Sequence, residues 1–337
     1  MESQKTGKHS FKHSTPPVIT AWASVAGKKE SEGPLNAYFD EVSTQTYFGQ
    51  KTWEQAEKKM QQDALEILCQ KASVSFSDID CVCSGDLLNQ CIGSSFPLRN
   101  TQIPHIGLYG ACSTMAESLM LASMMVSGGF ANRVVAMTSS HFASSERQYR
   151  FPLGYGGQRT PTAQWTVTGA GAVFVCKDGK GPKITGCTIG TVEDLGIKDA
   201  NNMGAAMAPA AYQTICRHFD DFQCDASSFD LIVTGDLGQH GKELLLTMAQ
   251  RSGVSLGGKI ADCGTLIFDI LKQDVHSGGS GCGCSAITLC GYLLHKLQTK
   301  KLNRILFCGT GALLSPTSTQ QGQSIPGVCH AVAIQGG

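Results

Sequence analysis

Cys112, in the run Tyr109-Gly110-Ala111-Cys112-Ser113-Thr114, stands at the head of a segment whose apolar residues recur at helical spacing. A thiol at a helix N-terminus faces unpaired backbone N–H groups and the positive end of the helix dipole, which lower its pKa and favour the thiolate. The same geometry binds a carboxylate. Cys112 is therefore read both as a candidate nucleophile and as the marker of an anion site. Downstream, residues 141–166 concentrate groups suited to a flat anion. Arg147, Arg150 and Arg159 can fork onto carboxylates, Tyr149, Tyr155 and Trp165 can stack on a ring, and His141 and Gln164 add polar contacts. Pro152, Gly154, Gly156, Gly157 and Pro161 mark this segment as a long loop without regular structure, of the kind that is commonly functional in compact proteins.

The elements that must position these groups emerge when the chain is compared with itself. Residues 79–88 read IDCVCSGDLL and residues 229–237 read FDLIVTGDL, so each has an Asp, a short apolar run and then Gly-Asp-Leu. Residues 110–135 and 283–306 each begin with a Cys-Ser pair, at Cys112-Ser113 and Cys284-Ser285. Each then reaches an Asn-Arg pair, at Asn132-Arg133 and Asn303-Arg304. Every copy thus offers a buried strand ending in Gly-Asp, a helix entered from a small-residue turn, and a second buried strand, RVVAMTSS or RILFCGTG. A glycine-led strand follows, at 169–175 and 327–334. Continuous apolar runs of this kind are what parallel strands covered on both faces look like. Met115, Leu119, Met120, Met125 and Val126 would turn one helix face to the core. The expectation is an α/β protein of two duplicated halves, 1–178 and 179–337, packed about a pseudo-twofold axis. Asp86 and Asp236 then occupy equivalent strand ends. There they cap the following turns or help to place calcium, although no EF-hand-like spacing supports a dedicated site.

Composition sets the outer limits. With 27 Lys plus Arg against 27 Asp plus Glu, no net field draws in nucleic acid over long range. No stretch reaches the roughly 20 apolar residues of a membrane span. The polar start MESQKTGKHSFKHS lacks the apolar run of a signal peptide, so the chain is expected to stay in a reducing compartment. Its 15 cysteines show no paired CxxC spacing. Cys81 with Cys83, and Cys282 with Cys284, are read as buried thiols rather than metal ligands. The glycine-rich 277–283 is neither a P-loop nor a well-placed GxGxxG and reads as a tight turn.

A duplicated α/β chain with a cysteine opening a central helix of its first half resembles the thiolase superfamily, which includes the ketoacyl synthases. The stretches YGACSTMAESLMLAS, SSHFASSERQYRFPLGYGGQRTPTAQWTVTGAGAV, TGDLGQHG and HSGGSGCGCSA more closely resemble the stage V sporulation protein AD family. That resemblance implies a thiolase-like, five-layered αβαβα fold without established enzymatic activity, and no cofactor. It implies binding of dipicolinate (pyridine-2,6-dicarboxylate), alone or as its calcium chelate, for uptake into the developing spore and possible release at germination. Implied partners are the membrane proteins encoded in the same operon. The implied location is the forespore, peripheral to the inner spore membrane, and the implied state a homodimer. Acyl-transferring relatives add a histidine after the first strand of the second half and a histidine or asparagine in its glycine-rich loop. Gly235 and Gly278 stand where these would be expected, with His240 and His276 nearby. The expected ligand-binding set is Cys112, Asp86, His141, Arg147, Arg150, Gln164, Trp165, Asp236 and His240. The rival reading is an acyltransferase with Cys112 as nucleophile and His240 or His276 as proton carrier.

Overall fold

The structure is a computed structural model that describes residues 5–149 and 159–337. The main elements are β1 (Val18–Ala26), α1 (Trp53–Ala72), β2 (Cys81–Gly85), β3 (His105–Gly107), α2 (Thr114–Ser127), β4 (Arg133–Ser140), α3 (Phe142–Tyr149) and β5 (Gly169–Cys176). After the connection at 177–182 come β6 (Lys183–Thr188), α4 (Met203–Phe222), β7 (Leu231–Thr234), α5 (Gly238–Arg251), β8 (Ile260–Asp262), α6 (Cys282–Ile287), β9 (Arg304–Ala312) and β10 (Gly327–Gln335). A π-turn at Thr288–Leu293 carries the α6 helix on to Gln298.

The ten strands line up as β8-β7-β9-β10-β6-β1-β5-β4-β2-β3. Subtracting five from each label of the second group gives the first group in reverse. In both groups the two outer pairings are parallel and the two inner ones antiparallel. The groups meet at a single register pair, Lys183 with Val18. Helix α1 packs on β1 and β5, α4 packs on β10 and β9, and α2 and α6 lie between the two groups of strands. This is the five-layered arrangement that the sequence implied.

Local sequence explains the helices. Thr52 caps α1 by accepting from the Gln55 N–H, and Ser73 ends it in the left-handed region at φ 53°. Between them Ala56, Met60, Ala64 and Leu68, four residues apart, are fully buried. On α2, Met115, Leu119, Ala122 and Val126 form the corresponding stripe. The landmarks common to both halves prove to be partners. Asp80 accepts from the N–H groups of Asn132 and Arg133 at 2.7 and 2.9 Å, and Asp230 accepts from those of Asn303 and Arg304 at 2.5 and 3.0 Å. Each aspartate ties the strand it precedes to the start of the neighbouring strand.

One reading of the sequence is corrected here. Residues 142–149 form a helix, α3, where a loop was expected. The short run Phe-Ala-Ser-Ser-Glu-Arg-Gln-Tyr lies before the first proline and contains no helix breaker.

Glycine makes the central contact between halves possible. A Cβ on Gly311 of β9 would fall 2.3 Å from the Gly110 carbonyl oxygen, and one on Gly309 would fall 2.6 Å from the Ala116 Cβ. Gly311→Ala is therefore expected to lower the unfolding free energy by about 1–3 kcal/mol, as overpacked sites do. A urea melt unchanged from the parent chain would contradict that contact.

Candidate functional site

The turn Tyr109–Ser113 lies beyond the C-terminal end of β2, where Ala111 takes up the left-handed region at φ 52°. Cys112 therefore precedes α2 and points into the seam between halves. The thiol is 6% exposed. The carboxyl of Asp236, which follows β7 of the other half, and the Gly281 N–H are its polar neighbours. Asp236 is itself fully buried. Its Oδ2 accepts from the Gly281 N–H at 2.9 Å and its Oδ1 from the Thr310 hydroxyl at 2.8 Å, while the Gln164 amide donates to its backbone carbonyl at 2.7 Å.

This surrounding reverses the expected effect on the thiol. Burial, then the charge of Asp236 and the neighbouring Cys282, push Cys112 well above the ordinary cysteine value, and the Gly281 N–H opposes this only weakly. Helix-terminus stabilisation of a thiolate is outweighed because a second negative charge in a buried site beside a carboxylate costs more than the helix end returns. Burial likewise raises Asp236 to about 7.

Beside Cys112 is a cavity of about 40 Å³, lined by Leu87, Tyr109, Ala111, Ser145, Glu146, Tyr149, Thr166, Met203, Ser280, Gly281, Ala312 and Leu314 together with the cysteine. At roughly 10–15 Å³ per water, it has room for about three. The phenols of Tyr109 and Tyr149 meet at 2.7 Å, and Tyr149 also donates to the Leu87 carbonyl at 2.6 Å. Glu146 accepts from the Thr166 hydroxyl at 3.1 Å. Among the described lining residues there is no lysine, arginine or histidine.

Of the described residues singled out by sequence, the structure brings Cys112, Asp236 and Tyr149 together, sets Gln164 against the Asp236 backbone, and places the others elsewhere. Arg147 pairs with Glu54 and lies 5.3 Å from the Trp53 ring centre. Arg159 donates to the carbonyl of Asp274 at 2.7 Å and to its carboxylate at 2.9 Å. Trp165 stacks on Phe142 with ring centres 3.9 Å apart, beneath Lys29 and Arg159. His141 is fully buried, with Nε2 2.8 Å from the Thr46 carbonyl and Nδ1 accepting from the Ala143 N–H. Gln164 bridges the carbonyls of Asp236 and Gly279. Asp86 accepts from the N–H groups of Leu88 and Ser94 and from the Ser94 hydroxyl, and so closes the turn after β2. His240 sits on α5 with its N–H on the Ser277 hydroxyl, and His276 bonds the Thr160 carbonyl at 2.7 Å and faces Asp274 at 3.1 Å. Neither histidine lines the cavity. Arg150 and Tyr155 lie outside the described residues.

Sequence reading passed over Tyr109, Ser145 and Glu146. Helical spacing would have found the last two: Ser145, Glu146 and Tyr149 share one face of α3, and Arg147 falls off it.

The family model described as stage V sporulation protein AD matches residues 7–335. The chain belongs to the stage V sporulation protein AD family. It is 43% identical over 330 residues to stage V sporulation protein AD of Bacillus subtilis (strain 168), covering 98% of this chain and 97% of that one. Among solved structures it is similar to 3-oxoacyl-(acyl carrier protein) synthase III of Pseudomonas aeruginosa, with a TM-score of 0.56, 13% identity, and 95% and 98% of the two chains covered. It is also similar to OleA of Xanthomonas campestris, with a TM-score of 0.58, 12% identity, and 98% and 99% covered. The fold is thus thiolase-like, and the family places the protein in sporulation.

The buried acids give a pH dependence whose sign follows from their direction. Glu30, Glu57 and Asp236 are raised to about 7, 8 and 7, so the folded state holds protons that the unfolded state has lost. Stability therefore falls as pH rises towards 8. Buried His13, His218 and His330 are lowered and oppose the acids only below the ordinary histidine value, near 6.5. The melting temperature is expected to rise from pH 8 to about 6.5 and then level off, with a shallower slope in Asp236→Asn. A melting temperature independent of pH over that interval would contradict the assignment.

Proposed function

We propose that this member of the family works in sporulation as a non-catalytic binding protein, taking dipicolinate as its calcium chelate into the cleft beside Cys112. The observation that carries this reading is the Cys112 thiol, held neutral against Asp236 with no histidine among the described lining residues. Attack on an acyl carbonyl needs a thiolate, or a base to make one, and donors for the developing oxyanion. Asp236 stands beside the thiol, but its two oxygens are already occupied by the Gly281 N–H and the Thr310 hydroxyl.

The charge of the lining bears on the form of the ligand. The described lining offers no lysine, arginine or histidine to a bare dianion. The calcium chelate is uncharged, and Tyr109 and Tyr149 offer ring faces on which its pyridine can stack. The cavity holds only a few waters, so a ligand of this size enters as the two phenols part. Arg150, one residue beyond Tyr149, is the candidate for the remaining carboxylate contact. Delivery to membrane partners follows from the same reading.

Intact-mass analysis after incubation with acyl-coenzyme A is expected to show no adduct at Cys112. A thioester would restore the acyltransferase reading. Calorimetry with dipicolinate is expected to show binding that strengthens when calcium is added and weakens tenfold or more in Arg150→Ala, a loss typical of a charged contact. Cys112→Ala should bind within about threefold of the parent chain, because the neutral thiol adds no charged contact. Loss of binding in Cys112→Ala with normal binding in Arg150→Ala would sink this arrangement, and no heat under any condition would sink the ligand.

We further propose that the protein pairs as a homodimer through β3. This strand ends the sheet, and Phe96, Ile106 and Tyr109 are exposed beside it. Light scattering is expected to show a dimer that Ile106→Asp converts to a monomer; a parent chain that is monomeric at micromolar concentration would rule this out.

A further inference from the structure

The two halves differ at the central strands β1 and β6, on the edge of each that turns away from β5 or β10. Their registers correspond residue by residue. Arg133 of β4 faces Cys176 as Arg304 of β9 faces Gln335, and both central strands carry a bulge, between Ile19 and Ala21 and between Ile184 and Gly186. Val18–Ala23 of β1 therefore match Lys183–Thr188 of β6. The match extends to the flanking turns, since the Ile19 N–H donates to the Pro182 carbonyl and the Ile184 N–H to the Pro17 carbonyl.

In the second half this edge is occupied. A short strand of the chain itself, Ser10–Lys12, lies antiparallel to β6 with Lys12, Phe11 and Ser10 opposite Gly186, Cys187 and Thr188. The His13 N–H donates to the Thr185 carbonyl, and the Ile189 N–H to the His9 carbonyl. Asp221, near the end of α4, holds this arm by accepting from the N–H groups of Lys8 and His9 and from the Ser10 hydroxyl.

In the first half the matching edge is open. Among the described residues, β1 has no strand on that side between Val18, which faces Lys183, and Val25, which faces Glu41. Connectivity explains the difference: the chain entering Pro17 is the arm that carries Ser10–Lys12, whereas the chain entering Pro182 comes from β5. Ser24 bonds Asp40 on this edge, its N–H donating to the carboxylate at 2.9 Å and its carbonyl accepting from the Asp40 N–H. Backbone groups two residues apart on a strand point the same way. The N–H and C=O of Trp22 thus face outward, onto a cavity of about 400 Å³ whose lining includes Trp22, Tyr38, Asp40, Lys71, Cys290 and His295.

The charge beside the open edge is reversed. Helices α1 and α4 are each 20 residues long and end on a left-handed residue, Ser73 and Gln223, so Lys71 stands where Asp221 stands in the other half. Lys71 bonds Asp40 at 2.9 Å and, with three N–H donors, has capacity for a second carboxylate. Lys296 adds a cation 5.6 Å from the Tyr38 ring centre. Asp40, the acid of the lining, is already bonded by Ser24 and Lys71, and Glu41 lies instead among Lys59, Asp63 and Glu66.

We propose that the open edge of β1 receives an extended, acidic segment of a partner protein as an added antiparallel strand over Ala21–Ala23, with an apolar side chain opposite Trp22 and a carboxylate on Lys71. The main chain of Trp22 supplies the pairing, and the cavity and Lys71 supply the selection. The arm on β6 is the template: there Lys8, His9 and Lys12 surround Phe11 and an aspartate answers them. A lysine in the aspartate's place calls for a strand of opposite sign. The inference does not depend on what occupies the Cys112 cleft.

The probe is a synthetic peptide of residues 5–15 in which Lys8, His9 and Lys12 are each replaced by Glu, compared with the unaltered peptide by calorimetry on the full chain. The acidic peptide is expected to bind roughly tenfold or more tightly than the unaltered one, and Lys71→Asp to reverse that preference. Thermal melts confirm that Lys71→Asp folds. Hydrogen exchange at the Trp22 N–H should slow on binding, and proline in place of Phe11 in the acidic peptide should abolish binding by removing the N–H opposite Trp22. Equal binding of the two peptides, binding without slowed exchange at Trp22, or no heat with the acidic peptide at millimolar concentration overturns the proposal. Exchange at Trp22 that slows with rising protein concentration and no peptide also overturns it and assigns the edge to a second copy of the chain.

Discussion

A buried carboxyl at the seam between the two halves, that of Asp236, constrains the seam: the thiol of Cys112 stands beside it and the Gln164 amide holds its backbone carbonyl. A carboxyl removed from water must be fully bonded or neutral. Asp236 is bonded by the Gly281 N–H and by Thr310 and has the thiol beside it, and each comes from a different element. Those elements are the turn before α2, the start of α6 and strand β9, so the position of one carboxyl depends on the packing of both halves. The same surroundings keep the thiol in its neutral form, since burial and the Asp236 charge both oppose its ionisation.

Asp86 sharpens the point because it occupies the equivalent place in the other half. It too is buried at the end of a strand, and it accepts three hydrogen bonds. All of its partners, however, lie within the next eight residues, at Leu88 and Ser94. Asp86 closes a local turn while Asp236 crosses the seam. The backbone position is common to both, and the difference comes from the loop that follows. Residues 87–98 coil back over Asp86 as short helical turns, whereas Leu237 and Gly238 lead directly into α5. That leaves Asp236 open to Cys112.

The architecture was legible because its determinants are periodic and local. Continuous apolar runs, helical stripes and the paired Asp and Asn-Arg landmarks each depend on a few neighbouring residues, and the landmarks proved to be two ends of one hydrogen-bonded tie. The site was legible only as a neighbourhood. Cys112 and Asp236 could be named from the sequence, but their contact spans the two halves, and nothing in either segment reveals it. The expected lowering of the Cys112 pKa was sound for an exposed helix terminus and was reversed by burial and by one long-range carboxyl. Reading residues 142–149 as a loop removed the one constraint, helical periodicity, that would have separated Glu146 and Tyr149 from Arg147.

The arginines show why a cluster of charges in sequence does not make a charged site. Arg147 is neutralised by Glu54 and lies over Trp53, and Arg159 is neutralised by Asp274 and lies over Trp165. In both cases a guanidinium covers an indole while its fork is taken up by a carboxylate, which suits the planar, weakly hydrated group better than an open cavity would. Among the described residues, Glu146, two phenols, small hydroxyls and apolar side chains line the cleft. Guanidinium groups that stand together in the sequence are thus separated by the carboxylates and indoles that the fold brings to each, and the surface beside Cys112 is left to a phenol pair and small side chains.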